Sequence, residues 1–349
     1  MVGAGGAYQE AQVKAFIEPF TKETGNKVGQ DSPLSYPKLK AMVDAKRVTW
    51  DAMEAYSYFA VGECGTYLEK IDYSIVDKSK IEPGLALECG VPNMKSALLL
   101  VYNTDKYGDN PPTSWKDFFD TKKFPGKRGM MNAADQGALE AALLADGVDG
   151  KDLFPLDYDR AFAKLDSIRD DTKFIATGAD QEQALQNGTV DMMLAWPGRA
   201  YDAVTKGAKL KPVWNQPIFY NDVFVVPKGT KNKKAVMEFL NHVVSAEAQA
   251  TLAENIAYAP INPAAKPNID AVKKSFLPSG QDNGTGIKRD DKWWADNRVD
   301  ASERWNILSA GFPGVHLESG RGVRCLFRGA VPSAVACVQT ALVLHAPKV

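Results

Sequence analysis

Ala97-Leu98-Leu99-Leu100-Val101-Tyr102, closed by Asn103-Thr104-Asp105, is an unbroken apolar run, and its reading decides the fold class. A strand with one wet face alternates apolar and polar residues, whereas an uninterrupted run fits a strand covered on both faces inside an α/β sheet. Just beyond it the composition changes. The proline-rich Asn110-Pro111-Pro112-Thr113 leads into Ser114-Trp115-Lys116-Asp117, where Ser114 is placed to cap a short helix. A buried strand ending against such a break marks a lobe boundary near residue 103. Length agrees, since 349 residues exceed the usual size of one hydrophobic core and predict two lobes.

Toward the N-terminus, Val13, Phe16, Ile17 and Phe20 recur at i, i+3, i+4 and i+7, one apolar face of a helix that Thr24-Gly25 stops. Gly3-Ala4-Gly5-Gly6 precedes this helix, and Met1-Val2 reads as the end of a strand whose beginning, with any export signal, lies outside the chain. A second helix is predicted over residues 36–46, with Leu39, Met42 and Val43 on one face, and a strand over residues 50–54. Toward the C-terminus, helical patterns at Leu139 and Leu143, at Phe162, Leu165 and Ile168, and at Ala184 and Leu185 alternate with short strands. Asn187-Gly188 then turns the chain into a strand over residues 189–196. Another strand, residues 219–226, runs into Pro227-Lys228-Gly229, and helices dominate from Val236 to Trp305. Residues 312–349 differ: Glu318 is their one acidic residue, yet they hold two of the four cysteines and two of the three histidines. They are expected to be an atypical tail outside the fold, the alternative being an amphipathic helix over residues 331–344.

Composition excludes several classes. With 45% hydrophobic and 24% charged residues and a formal net charge of -1, nothing calls for nucleic acid or an anionic membrane surface. Tyr8 stands where a dinucleotide fingerprint needs its third glycine, which argues against a nucleotide cofactor. No nucleophile elbow, zincin helix or phosphate-binding loop occurs, and adjacent carboxylates such as Asp170-Asp171 and Asp290-Asp291 seldom converge, so no enzyme is expected. His242, His316 and His345 lie too far apart for ligand spacing, which argues against a metal site or a metal-chelate receptor. Cys64 and Cys89 either close a disulfide loop or pack as two buried thiols.

Gly5-Gly6-Ala7-Tyr8, Tyr102-Asn103-Thr104-Asp105, Ser114-Trp115-Lys116-Asp117, Lys123-Phe124-Pro125-Gly126 and Pro227-Lys228-Gly229-Thr230-Lys231-Asn232 follow one another in an order that resembles the spermidine/putrescine-type solute-binding proteins of ABC importers. Trp293-Trp294-Ala295-Asp296-Asn297 and Glu303-Arg304-Trp305-Asn306 resemble that family's closing segment, so the likeness covers residues 1–310. It implies a type II periplasmic-binding fold, two α/β lobes joined by strands crossing near residues 102–105 and 213–222. Lobe one would comprise residues 1–102 and 222–311, lobe two residues 103–221. It further implies a periplasmic monomer that holds a small amine or amino acid in the cleft and delivers it to a membrane permease.

Within that frame, Trp196-Pro197-Gly198-Arg199 ends a strand where open α/β sheets place ligands. Trp196 offers a flat apolar wall and Arg199 a bidentate fork for a carboxylate, or else a surface ion pair. Asp222, beside Tyr220, is the candidate partner for an ammonium, a role the resemblance supports; the plainer reading is a charge at a strand edge. Tyr8, Tyr56, Ser57, Asp31, Ser35 and Ser96, the last beside Lys95, are lesser candidates for contacts or simple packing. One arginine and one aspartate across an aromatic wall describe a zwitterion such as 4-aminobutyrate; a polyamine would want carboxylates at both ends and no guanidinium. Putrescine or spermidine remains the alternative if Arg199 points elsewhere.

Overall fold

The computed structural model describes residues 1–281 and 283–310, so the atypical tail expected over residues 312–349 lies outside the described residues. Among the described residues, seven strands form one mixed sheet: β1 (Met53–Tyr56), β2 (Val91–Asn103), β3 (Arg128–Met131), β4 (Thr172–Ile175), β5 (Met192–Ala195), β6 (Leu210–Val225) and β7 (Ile287–Lys288). Their order is β1-β6-β2-β5-β3-β4, with β7 added alongside β6. The apolar run at residues 97–102 lies inside β2, and its two faces feed different cores. Leu98, Leu100 and Tyr102 enter one cluster of buried residues, while Ala97, Leu99 and Val101 enter the other. Both faces being covered, no polar alternation survives in the sequence.

β2 and β6 pair antiparallel from Val91 opposite Phe224 to Asn103 opposite Leu210, and this long ladder carries the remaining strands. β1 adds antiparallel to β6 at the Asp222–Val225 end. β5 adds antiparallel to β2 at the Leu99–Tyr102 end, and β3 and β4 continue outward in parallel. The ladder shifts register between Leu98 and Leu100, where β6 bulges out. Gln216 in that bulge takes a positive φ of 55°, and its carbonyl accepts a hydrogen bond from Trp115 Nε1 at 2.9 Å. The expected strand over residues 50–54 starts three positions later and ends two later, as β1, and the strand expected over residues 189–196 shortens to β5.

The first helical segment runs Gly6–Gln12, passes through a π-helical turn at Val13–Ile17 and continues as Glu18–Thr24, ending at Gly25 with φ of 75°. Phe16, Ile17 and Phe20 are buried as the spacing predicts. Ser114 caps its helix as expected, its side chain accepting from Asp117 N.

Cys64 and Cys89 are joined in a disulfide with a Cα–Cα distance of 5.3 Å. It ties the chain just after helix Ser57–Gly62 to the turn that leads into β2. Closing a loop with a sequence separation of 25 restricts the unfolded chain. Exchanging both cysteines for serine should therefore lower the unfolding free energy by about 3 kcal/mol in a urea titration against the oxidised wild type. An unchanged midpoint at equal slope would show that the bridge adds nothing.

Candidate ligand-binding site

A cavity of about 320 Å³ lies where the ends of β1, β5 and β6 meet the starts of several helices. Sheet register builds its acidic end. Tyr56 pairs with Asp222 and Glu54 with Phe224, so Glu54 and Asp222 are diagonal neighbours on one face. Both are buried, and Glu54 Oε2 accepts the Ala4 N–H at 3.2 Å. Burial, then the charge of Glu54, pushes the Asp222 carboxyl well above the usual carboxylate range. Burial likewise raises Glu54, opposed by Tyr8, Asp222, the Ala4 N–H and the more distant Arg199. Two carboxyls this close and this dry resist ionising together, and a cation between them would favour the ionised form of both.

The opposite end is basic. Trp196 follows β5 and is the N-cap of helix Pro197–Thr205, which sets Arg199 in that helix's first turn. Proline at the first helical position suits this start, since its missing N–H would have had no partner there. The guanidinium is only 3% exposed. Its Nη2 donates to the Gly5 carbonyl at 3.0 Å, while Nη1 has no hydrogen-bond partner among the described residues and stands 4.0 Å from Glu182 Oε2. Gly178 opens helix Gly178–Gln186 directly against it: a Cβ there would lie 3.0 Å from Arg199 Nε and 3.2 Å from Trp196 Cζ3. Glycine lets the positive end of that helix and the guanidinium converge on one spot, an arrangement that favours an anion between them.

Aromatic side chains wall the space between. Tyr8 and Tyr258 meet edge to face at 4.8 Å, Tyr56 and Tyr220 at 5.3 Å, and Tyr36 and Trp196 complete the lining. Tyr36 accepts the Tyr56 backbone N–H at 3.0 Å, and Tyr56 Oη donates to Gln136 Oε1 at 2.8 Å. Burial raises the phenols of Tyr8, Tyr56 and Tyr220, so they stay neutral donors.

The family model for bacterial extracellular solute-binding proteins matches residues 15–277. The chain belongs to that family. It is 32% identical over 319 residues to the gamma-aminobutyric acid-binding protein of Pseudomonas aeruginosa, across 89% of this chain and 90% of that one. It is 25% identical over 319 residues to the spermidine/putrescine-binding periplasmic protein of Salmonella typhimurium, across 84% of this chain and 88% of the other. A solved GABA receptor superposes with a TM-score of 0.83 at 39% identity, covering 90% of this chain and 98% of the receptor. These relatives are transport receptors rather than enzymes, and the fold is the mixed α/β fold of periplasmic binding proteins.

In this solute-binding protein, six of the sequence candidates line the one cavity: Tyr8, Tyr56, Trp196, Arg199, Tyr220 and Asp222. Four others do not. Asp31 is exposed, accepting from Trp50 Nε1 at 2.8 Å and pairing with Lys38 at 3.5 Å. Ser35 caps helix Tyr36–Asp44 by accepting the Lys38 N–H. Ser57 and Ser96 border a neighbouring cavity, with Lys95 and Arg289. Sequence reasoning missed Glu54, Tyr36, Tyr258, Gln136, Thr177 and Gly178, all in the lining. Glu54 did carry a signal, a carboxylate between apolar residues of a short strand; Gln136 and Tyr258 carried none, because they sit on connecting segments that only folding brings here.

Because the empty pair strains against its own charge, Asp222→Asn should stabilise the ligand-free protein, by on the order of 1 kcal/mol, while weakening binding of any ammonium ligand. Melting with and without ligand measures both. A variant less stable than wild type when empty would show that Asp222 is held by favourable contacts rather than strained.

Proposed function

We propose that this solute-binding protein captures an ω-amino acid, with 4-aminobutyrate as the best fit, and presents it to an ABC importer. The observation that carries this is the polarity of a single cavity, with the Glu54–Asp222 pair at one end and Arg199 with the start of helix Gly178–Gln186 at the other. An ammonium at the carboxyls favours their ionised forms, and a carboxylate at Arg199 takes Nη1, which has no hydrogen-bond partner among the described residues, beside the positive end of helix Gly178–Gln186. Methylenes between them lie on Trp196 and the tyrosines. A diamine would satisfy the acidic end and set its second ammonium against the guanidinium. The GABA-binding relatives, at 32% and 39% identity, support the amino acid over the polyamine of the more distant ones.

The same reading divides the chain into lobe one, residues 1–102 and 222–311, and lobe two, residues 103–221, hinged where β2 and β6 cross. Ligand in the cleft then favours the closed arrangement, which a membrane permease recognises. A monomer in the periplasm fits this role, and the disulfide suits an oxidising compartment.

Calorimetry on protein stripped of ligand by partial unfolding and refolding tests the assignment. 4-Aminobutyrate should bind and putrescine should not; Arg199→Ala should cost about 2–5 kcal/mol of that affinity. Tight putrescine binding that survives Arg199→Ala would overturn the amino-acid reading in favour of a polyamine.

Proton linkage supplies a second check. Since the ligand's ammonium drives the carboxyl pair to ionise, binding should release protons and tighten as pH rises toward the raised value of Asp222. Titrations in two buffers of different ionisation enthalpy read this directly; proton uptake on binding would place the ammonium elsewhere.

A further inference from the structure

Arg289 lies between β7 and helix Asp291–Ser309, buried and outside the cavity just described. Its guanidinium carbon sits 5.2 Å from the ring of Tyr56, 5.0 Å from that of Tyr58 and 5.0 Å from that of Trp294. None of its three side-chain nitrogens has a hydrogen-bond partner among the described residues. Each of the caging rings, by contrast, donates one hydrogen bond outward. Tyr56 Oη donates to Gln136 Oε1 at 2.8 Å, Tyr58 Oη to Asp135 Oδ2 at 2.6 Å and Trp294 Nε1 to Glu140 Oε1 at 2.8 Å. All three acceptors lie close together in the chain, Asp135 and Gln136 just before helix Ala138–Ala145 and Glu140 in its first turn. Trp305 Nε1 adds a fourth bond to the same segment, to Asn132 Oδ1 at 2.9 Å.

A cation on the face of a ring polarises it and strengthens the O–H or N–H at its edge as a donor. The charge of Arg289 therefore acts twice on the same neighbours, through the rings and directly on Asp135 and Glu140. Burial alone would lower the guanidinium's pKa, and Glu140 and Asp135 outweigh it. Under the two-lobe division proposed above, donors and cation belong to lobe one and all the acceptors to lobe two. We propose that Arg289 and its aromatic cage are a closure latch, which sets the receptor's affinity by stabilising only the arrangement in which the lobes meet. The latch reaches the ligand through Tyr56 and Gln136, both of which also line the cavity. Ligand and latch thus favour one state and reinforce each other.

The inference rests on the lobe division, and its test separates the two. In Arg289→Met, the dissociation constant for 4-aminobutyrate, or for putrescine if that is what wild type binds, should rise by about tenfold. Stopped-flow tryptophan fluorescence should place the loss mainly in a faster off-rate. The size is diagnostic: a role confined to the electrostatic field predicts little change, because the entering ammonium replaces a proton of the same charge and Arg289 repels both. Glu140→Gln, from the opposite lobe, should weaken binding similarly, and the two changes together should cost less than the product of their separate effects. Affinity within about twofold of wild type in Arg289→Met, tighter binding, or losses that multiply in the double variant would overturn the latch. Should Arg289→Met not fold, Glu140→Gln and Tyr58→Phe give the same reading, weaker binding expected and unchanged affinity overturning it. If wild type binds neither compound, the ligand assignment fails on its own. Small-angle scattering of ligand-free protein then decides the latch, a larger radius of gyration in the variant supporting it and an equal one overturning it.

Discussion

The antiparallel pairing of β2 with β6 is the constraint on which the rest of this molecule depends. Every other strand is attached to this ladder directly or through a neighbour, and its two faces cover different cores. Because the ladder is long, β1 can join β6 at one end while β5, β3 and β4 extend from β2 at the other. The end of β6 that pairs with β1 is also the end that carries Asp222. Register, fixed by burial on both sides, therefore brings Asp222 diagonal to Glu54; a slip of β1 by one residue against β6 would put the two carboxyls on opposite faces.

The cavity concentrates unsatisfied charge that a protein selected for stability alone would have avoided. At one end burial raises the pKa of two neighbouring carboxyls, and at the other a guanidinium is packed against a helix start with one nitrogen lacking a hydrogen bond among the described residues. Neither end is satisfied by the other across the aromatic wall. Such a site is costly when empty and gains when filled, which is how a receptor couples binding to a change of state. The cage around Arg289 repeats the principle without a ligand, holding a cation on three ring faces so that its attraction falls on carboxylates of a separate segment.

Legibility followed the range of the interactions involved. Trp196 and Arg199 were readable because a strand end followed by Pro-Gly is a local signal, and Asp222 because a carboxylate beside apolar strand residues is anomalous. Asp31, Ser35, Ser57 and Ser96 were polar residues in plausible places, but helix capping, a surface ion pair and a second cavity claim them. The sequence pattern could not separate those fates, since capping and ligand binding call for the same side chains. Glu54 was overlooked although its position carried the same anomaly as Asp222, because a strand predicted to end at residue 54 leaves its last residue at a solvated edge.

By itself the sequence determined what short-range physics encodes: the α/β class from the apolar run in β2 and the helix stops and caps. It left open whether Cys64 and Cys89 were joined, since their spacing permitted a bridge without requiring one. Only the tertiary structure decided that, along with the proximity of Glu54 to Asp222, the approach of Gly178 to Arg199 and the encirclement of Arg289. Each is a contact between residues far apart in the chain, and its geometry comes from sheet register and helix placement, which are properties of the packed whole.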